Sequence, residues 1–247
     1  SGSSRPISHI KLSDGKFSFA VPPQWEGGEG DFVIEGALEN GRLKGTVKTN
    51  KGNTFTYTGV KAPYLDNTKE PTWGTPIELF NGKDLSGWKA SAAENQWEVK
   101  DGILTSPKAG ANLITDQKFD DFKLTAEFRY PKEGNSGIYL RGRYELQIED
   151  SPKDRHPGTL YFGAIYGFLA PNEMVAKGSD VWYTYEITLV CRLVTVVAYG
   201  QTIISRQEMP GITGGALDSN EGEPGPIYLQ GDHAPIEFRK LTITPAK

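Results

Sequence analysis

The sequence contains one cysteine, two methionines and three histidines among its 247 residues. A single cysteine, Cys191, excludes an intrachain disulfide and a cysteine-rich zinc site, and the histidines lie too far apart for an HExxH metal motif. There is no basic surplus, because 27 Lys and Arg stand against 31 Asp and Glu. Nucleic acid is therefore not an expected partner. No apolar run approaches the length of a transmembrane helix.

What the chain does contain is turn residues and alternating apolar side chains. It has 29 Gly and 16 Pro, and its hydrophobic fraction of 37% is enough to build a core. No segment keeps an apolar period of 3.6 residues over a dozen positions, whereas alternating runs recur at short intervals. This pattern predicts an all-β protein built as a sandwich or jelly roll.

The alternating runs divide into two groups. Residues 1–64 predict a small antiparallel β-meander, either complete or truncated, in which Asn40-Gly41 is a strong hairpin signal. Residues 65–75 are polar, contain Pro71 and predict a linker. Residues 76–247 carry about ten longer strands, which predict a two-sheet jelly roll.

Three strands of the second group separate apolar from polar side chains. In Phe122–Tyr130, Gly137–Arg141 and Tyr144–Glu149, alternate residues share a face. The apolar residues expected between the sheets are Leu124, Phe128, Ile138, Leu140, Leu146 and Ile148. The polar residues expected to line one concave groove are Glu127, Arg129, Tyr139, Arg141, Glu145 and Gln147.

The polar face is either a solvated surface or a carbohydrate-binding surface. Solvated strands are the default, but Glu, Arg, Tyr and Gln can bind vicinal hydroxyls. Trp182 could stack on a sugar ring. Glu145 and Glu149 are about 13 Å apart along their strand. That spacing does not favour a two-carboxylate retaining glycosidase. His233, on a loop after a strand, is a proton-transfer candidate.

Six stretches carry a resemblance to a known family. The chain resembles bacterial proteins of the 3-keto-disaccharide hydrolase domain family, formerly a domain of unknown function, whose fold is a concanavalin-like jelly roll. The matching stretches, in chain order, are Pro76–Trp88, Trp97–Gly102, Gly134–Gly142, Tyr144–Asp150, Gly163–Gly167 with Ala170-Pro171, and Ile227–Gln230 with Phe238-Arg239.

The resemblance implies an enzyme that cleaves 3-keto-glycosides by C2 proton abstraction, elimination at C1 and hydration. The expected catalytic residues are Glu145, Arg141 and His233, with Arg141 stabilising the enolate. A divalent metal ion held by Glu149 or Asp150 is an alternative electrophile. The residues expected to bind an oligosaccharide or glycoside substrate are Glu127, Arg129, Asn135, Tyr139, Gln147, Asp150, Tyr166 and Gln230.

A non-catalytic carbohydrate-binding module of the cell envelope is the alternative function, because the same jelly roll serves many lectins. We expect a periplasmic or extracellular location. The opening Ser1-Gly2-Ser3-Ser4 is typical of cloning residues or of the flexible segment behind a lipoprotein cysteine, so a lipid anchor is included in this expectation.

Overall fold

The structure, a computed structural model, describes residues 7–22, 29–63, 65 and 70–247. These residues form strands and connecting turns, which confirms the all-β prediction. No helix in the described ranges is long and apolar enough to cross a bilayer. The chain divides into a small unit, residues 5–64, and a large unit, residues 65–247.

The small unit is a five-stranded antiparallel sheet in which each strand pairs with the next along the chain. Asn40 and Gly41 both have positive φ values, 50° and 75°, and join two strands by the tight turn that their sequence predicts. The strands are β1 (Lys11–Ser13), β2 (Lys16–Val21), β3 (Phe32–Glu39), β4 (Arg42–Lys48) and β5 (Thr54–Gly59).

One face of this sheet is apolar and remains solvent-accessible. Leu12, Phe17, Gly36 and Gly45 lie opposite one another across four strands, and the flanking Leu38 is 65% exposed. None of the described residues of the small unit is buried. The described part of the small unit is therefore a single layer without a closed core.

The large unit is a two-sheet sandwich. Its strands are β6 (Ile77–Glu78), β7 (Trp88–Ala90), β8 (Glu98–Lys100), β9 (Ile103–Ser106), β10 (Leu113–Phe119), β11 (Phe122–Arg129), β12 (Asn135–Leu140), β13 (Tyr144–Glu149), β14 (Tyr183–Val190), β15 (Leu193–Ala198), β16 (Gln201–Glu208), β17 (Gly225–Leu229) and β18 (Ile236–Pro245). One sheet has the strand order β13-β12-β17-β10-β7; the other has β16-β15-β14-β11-β18-β9-β8, with β6 paired to β18.

The space between these two sheets is filled as the alternation predicts. All six apolar residues expected there are at most 1% exposed, which confirms their register. Phe128 lies among aromatic rings, with centroids 4.7 Å from Tyr185 and 5.5 Å from Tyr183. Successive side chains of a strand point to opposite faces of the sheet. Because one face is filled by apolar residues, the polar side chains of these strands lie on the outer face.

Candidate active site

A row of side chains crosses the outer face of the five-stranded sheet. Lys89, Ile114, Tyr228, Tyr139 and Glu145 lie directly opposite one another on successive strands from β7 to β13. Their inward-facing neighbours belong to the core, so this row points away from it. We call the outer face of this sheet the site face.

A second row on the site face has a glycine at its centre. Gln147 lies opposite Gly137, and the backbone N–H of Gln230 donates to the Gly137 carbonyl at 2.9 Å. A Cβ atom at position 137 would come within 2.7 Å of Glu145 Oε1. The Glu145 carboxylate therefore lies over Gly137, in the space that the missing side chain leaves.

Glu145 is a buried carboxyl group with no cationic partner among the described residues. Its residue is 4% exposed, and Oε2 accepts a hydrogen bond from the Tyr139 hydroxyl at 2.9 Å. Burial raises the pKa of Glu145 to about 7, aided by the charge of Asp232 and opposed by hydrogen bonds from Tyr139 and Gln230. A carboxyl group with this pKa can take up a proton near neutral pH.

Residues 209–217, which we call the strap, lie against Glu145 and Tyr139. The Glu145 N–H donates to Thr213 Oγ1 at 2.9 Å, and Tyr139 Oη lies 2.9 Å from the Gly214 carbonyl oxygen. Gly215 has a φ of 78°, and a Cβ atom there would overlap Tyr139 Oη. Glycine thus lets the strap approach the hydroxyl closely enough to hydrogen-bond with it.

Two amide oxygens on the site face have no hydrogen-bond partner. Gln147 donates its Nε2 to the Leu160 carbonyl at 3.2 Å, but its Oε1 accepts no bond, and neither does Gln230 Oε1. The two residues are 4% and 7% exposed. An unsatisfied buried acceptor costs about 1–3 kcal/mol, so both oxygens favour donors such as hydroxyl groups.

Asp232 and His233 form a pair on the loop that follows β17. His233 Nδ1 lies 2.6 Å from Asp232 Oδ1, and Asn112 Nδ2 donates to the other carboxylate oxygen at 3.4 Å. Asp232 is close enough to raise the pKa values of Glu145 and Tyr139. This pair is solvent-exposed and adjoins the site face.

Arg141 does not line the site face, so its predicted position was wrong. It lies beyond the end of β12, its φ of 54° redirects its side chain, and it is 1% exposed. Its guanidinium donates to Asp120 at 3.0 Å and to the Cys191 carbonyl at 2.6 Å. The alternation was extended one residue too far, because the strand ends at Leu140.

Glu127 and Arg129 were also misplaced by the prediction of one shared groove. β11 pairs with β14 and β18 in the other sheet, so consecutive strands of the chain do not share a face. Glu127 accepts a bond from Arg239 at 2.6 Å, and Arg129 pairs with Glu237 at 2.5 Å. We call this outer surface of the larger sheet the salt-bridged face.

The remaining candidates lie at the margins of the site face. Asn135 is half-buried opposite Glu149, whose carboxylate accepts a hydrogen bond from Ser151. Asp150 accepts the Glu133 N–H at 2.8 Å, and the Tyr166 N–H donates to the Glu145 carbonyl at 3.0 Å. Within the described ranges, no group of three or more His, Cys, Asp and Glu residues could hold a metal ion.

The site face thus combines Tyr139, Glu145, Gln147 and Gln230, all of which the sequence had marked. Tyr228 was missed, although it precedes Gln230 by two residues and alternation places both on one face. Thr213 and Gly214 were missed as well, and they lie in a loop without periodicity. No sequence signal could have brought the strap to Glu145.

A family model described as the 3-keto-alpha-glucoside-1,2-lyase-like domain matches residues 75–244. The chain belongs to this family. All residues of the site face lie within the matched range, whereas the small unit lies outside it. The lyase-like family is one of carbohydrate-active, glycosidase-like enzymes, and a carbohydrate is the expected class of substrate.

A curated relative carries a name that agrees with the family. A Bacteroides thetaiotaomicron protein named 3-keto-disaccharide hydrolase is 29% identical over 109 residues, which make up 39% of this chain and 36% of that protein. The match therefore spans well under two thirds of the relative's length.

The fold also matches solved structures. A candidate glycosyl hydrolase from Parabacteroides distasonis is 28% identical, with a TM-score of 0.58 over 76% of this chain and 97% of that one. A second candidate glycosyl hydrolase from the same species is 17% identical, with a TM-score of 0.57 over 70% and 94% of the two chains, and supports the fold alone.

Proposed function

We propose that this chain cleaves 3-keto-glycosides by removing the proton on C2, with Glu145 as the base. The observation that carries the proposal is the buried Glu145 carboxyl group, whose pKa of about 7 suits proton transfer at neutral pH. The names of the family and of the Bacteroides relative both refer to 3-keto sugars, which supports the same substrate class.

The C3 ketone allows a single base to start the cleavage of the glycosidic bond. A carbonyl at C3 acidifies the C2 proton, so Glu145 accepts that proton and the electron pair moves to the C3 oxygen as an enolate. When the carbonyl re-forms, the pair makes a C1–C2 double bond and the C1–O bond to the aglycone breaks. Water can then add across the double bond, with hydroxyl at C1 and hydrogen at C2.

Tyr139 gives both protonation states of Glu145 a hydrogen-bond partner. When Glu145 is ionised, the Tyr139 hydroxyl donates to Oε2; when Glu145 is protonated, it donates to Tyr139 Oη, which donates in turn to the Gly214 carbonyl. Neither state leaves a buried donor without an acceptor. The base can therefore gain a proton without disrupting the site.

Gln147 and Gln230 lie on either side of Gly137 and are the residues proposed to recognise the sugar. Their amide oxygens are buried and unpartnered in the free protein, so they accept from the hydroxyl groups of a pyranose ring only after the surrounding side chains rearrange on binding. The exposed His233, oriented by Asp232, is the candidate that protonates the departing oxygen. Arg141 is excluded as the enolate partner because its guanidinium is buried in other contacts.

The test compares a 3-keto-glucoside with the corresponding unoxidised glucoside. Wild-type protein should cleave only the oxidised substrate, and Glu145→Gln should lower kcat by about 100- to 10,000-fold while retaining binding. Glu127→Gln is the matched control on the salt-bridged face and should leave kcat unchanged. Binding of both sugars without turnover by wild-type protein would instead support the carbohydrate-binding module.

A further inference from the structure

Tyr228 occupies the centre of the site face and has no role in the proposal above. It lies on β17, opposite Tyr139 on one side and Ile114 on the other. Its ring stacks on that of Tyr139, with centroids 4.3 Å apart and planes inclined by 11°. The residue is 4% exposed, so its ring is fixed by its neighbours.

The Tyr228 hydroxyl differs from that of Tyr139 in having no protein partner. Tyr139 Oη contacts both Glu145 and the Gly214 carbonyl. Tyr228 Oη makes no hydrogen bond within the described part of the chain, and it is not among the fully buried unpaired atoms. The ring is therefore enclosed while its hydroxyl is open to a ligand on the site face.

The surroundings keep this hydroxyl protonated. Burial raises the pKa of Tyr228, and the negative charges of Asp232 and Glu145 raise it further. A phenol that resists ionisation cannot act as a base, but it remains a hydrogen-bond donor throughout the neutral pH range. Neutral donors of this kind stabilise negative charge that develops on a substrate oxygen.

We infer that Tyr228 donates a hydrogen bond to the C3 oxygen of the substrate and stabilises the enolate. The inference rests on the proposed function and replaces Arg141 in this role. The enolate oxygen is on the carbon next to C2, so its donor must lie beside the base without being bonded to it. Tyr139 lies between Glu145 and Tyr228 in the row across the site face. Tyr228 is therefore near the base without being hydrogen-bonded to it.

No proton leaves Tyr228 in this step. The C2 proton passes to Glu145, the electron pair moves to the C3 oxygen, and the Tyr228 O–H shares its hydrogen with that oxygen. When the C3 carbonyl re-forms, the pair becomes the C1–C2 double bond, and the departing oxygen takes its proton from His233. Tyr228 returns to its starting state with each turnover.

The test is Tyr228→Phe, which removes the hydroxyl and keeps the ring that stacks on Tyr139. Because the hydroxyl has no protein partner, the melting temperature should change little. We expect kcat on a 3-keto-glucoside to fall by about 100- to 1,000-fold with KM within a few-fold of wild type. The control is Tyr199→Phe, whose hydroxyl donates to the Trp182 carbonyl and whose loss should leave kcat unchanged.

The leaving group provides a readout that a structural role would not affect. Tyr228→Phe should lower kcat equally for a 3-keto-glucoside with an activated nitrophenyl aglycone and for one with an alkyl aglycone, because enolate formation precedes C1–O cleavage. His233→Ala should lower kcat only for the alkyl substrate, because the nitrophenyl leaving group departs without protonation. Normal turnover by Tyr228→Phe overturns this inference alone, whereas an inactive wild-type protein overturns the proposed function.

Discussion

The two sheets of the large unit carry the same kinds of polar side chain on their outer faces, and they use them differently. On the salt-bridged face, Glu127 pairs with Arg239 and Arg129 with Glu237. Arg129 and Arg239 also lie over the Trp182 ring, at 4.8 Å and 4.4 Å from its centroid, respectively. Trp182 is thereby covered by cations and is not a free platform for a sugar ring.

On the site face, the corresponding carboxylate has no cationic neighbour among the described residues. Glu145 contacts a tyrosine hydroxyl and a glutamine amide, and burial raises its pKa to about 7. The charge of Glu127 is compensated by its arginine, whereas Glu145 is buried among neutral hydrogen-bond donors and can accept a proton. The partner, rather than the residue type, separates a structural carboxylate from a candidate base.

The largest effect on folding should come from Arg141, which belongs to neither face. Arg141→Ala removes the hydrogen bonds that the buried guanidinium donates to the Cys191 carbonyl and the Tyr144 hydroxyl, so the free energy of unfolding should fall by about 3 kcal/mol. Arg129→Ala, which removes a partly exposed pair, should cost about 0–1 kcal/mol. Urea denaturation of both variants measures the difference, and equal losses would contradict the distinction.

Filling the space beneath Glu145 should affect the catalytic rate rather than the stability. Gly137→Ala puts a Cβ atom within 2.7 Å of Glu145 Oε1 and forces the carboxylate to move. A displacement of about 1 Å in a catalytic group can lower the rate about 100-fold, so kcat on a 3-keto-glucoside should fall to that extent. Circular dichroism should show an unchanged fold. Wild-type turnover would mean that the carboxylate position is not critical.

The pH dependence gives the mildest perturbation of the same group. Glu145 must be ionised to act as a base, so kcat/KM should rise with pH with a midpoint at about pH 7. The titratable groups that face it are Tyr139, Tyr228 and Asp232. A midpoint near the ordinary carboxyl value of 4.5 would show that Glu145 is not the base.

Stability should follow the same ionisation with a defined sign. The folded pKa of Glu145 lies above the ordinary value of 4.5, so the folded state binds the proton more tightly. The stability that this group contributes is present below about pH 4.5 and is lost as the pH rises through about 7. Glu145→Gln should therefore gain stability over wild type across that interval, as thermal unfolding at several pH values can measure.

The fold could be predicted from alternation because burial between two sheets imposes a strict period of two. Leu146 and Ile148 face the core, and that register places Glu145 and Gln147 together on the outside. Sheet membership could not be predicted in this way, since period two is the same in either sheet. Glu127 was therefore assigned to the wrong face.

Two other features of the site were beyond the sequence signal. Arg141 follows a strand that ends one residue earlier, and its positive φ breaks the alternation. Thr213 reaches Glu145 through a hydrogen bond between residues 68 positions apart, which no local pattern specifies. Burial, which raises the pKa of Glu145, depends on this long-range packing.

The most direct test of the central claim is the loss of the C2 proton itself. Proton NMR of a 3-keto-glucoside in D₂O follows the disappearance of the C2–H signal with wild-type protein, Glu145→Gln and Glu127→Gln. The account predicts rapid loss with wild type and Glu127→Gln and no loss above background with Glu145→Gln. Loss of the signal at the wild-type rate with Glu145→Gln would contradict the assignment of Glu145 as the base.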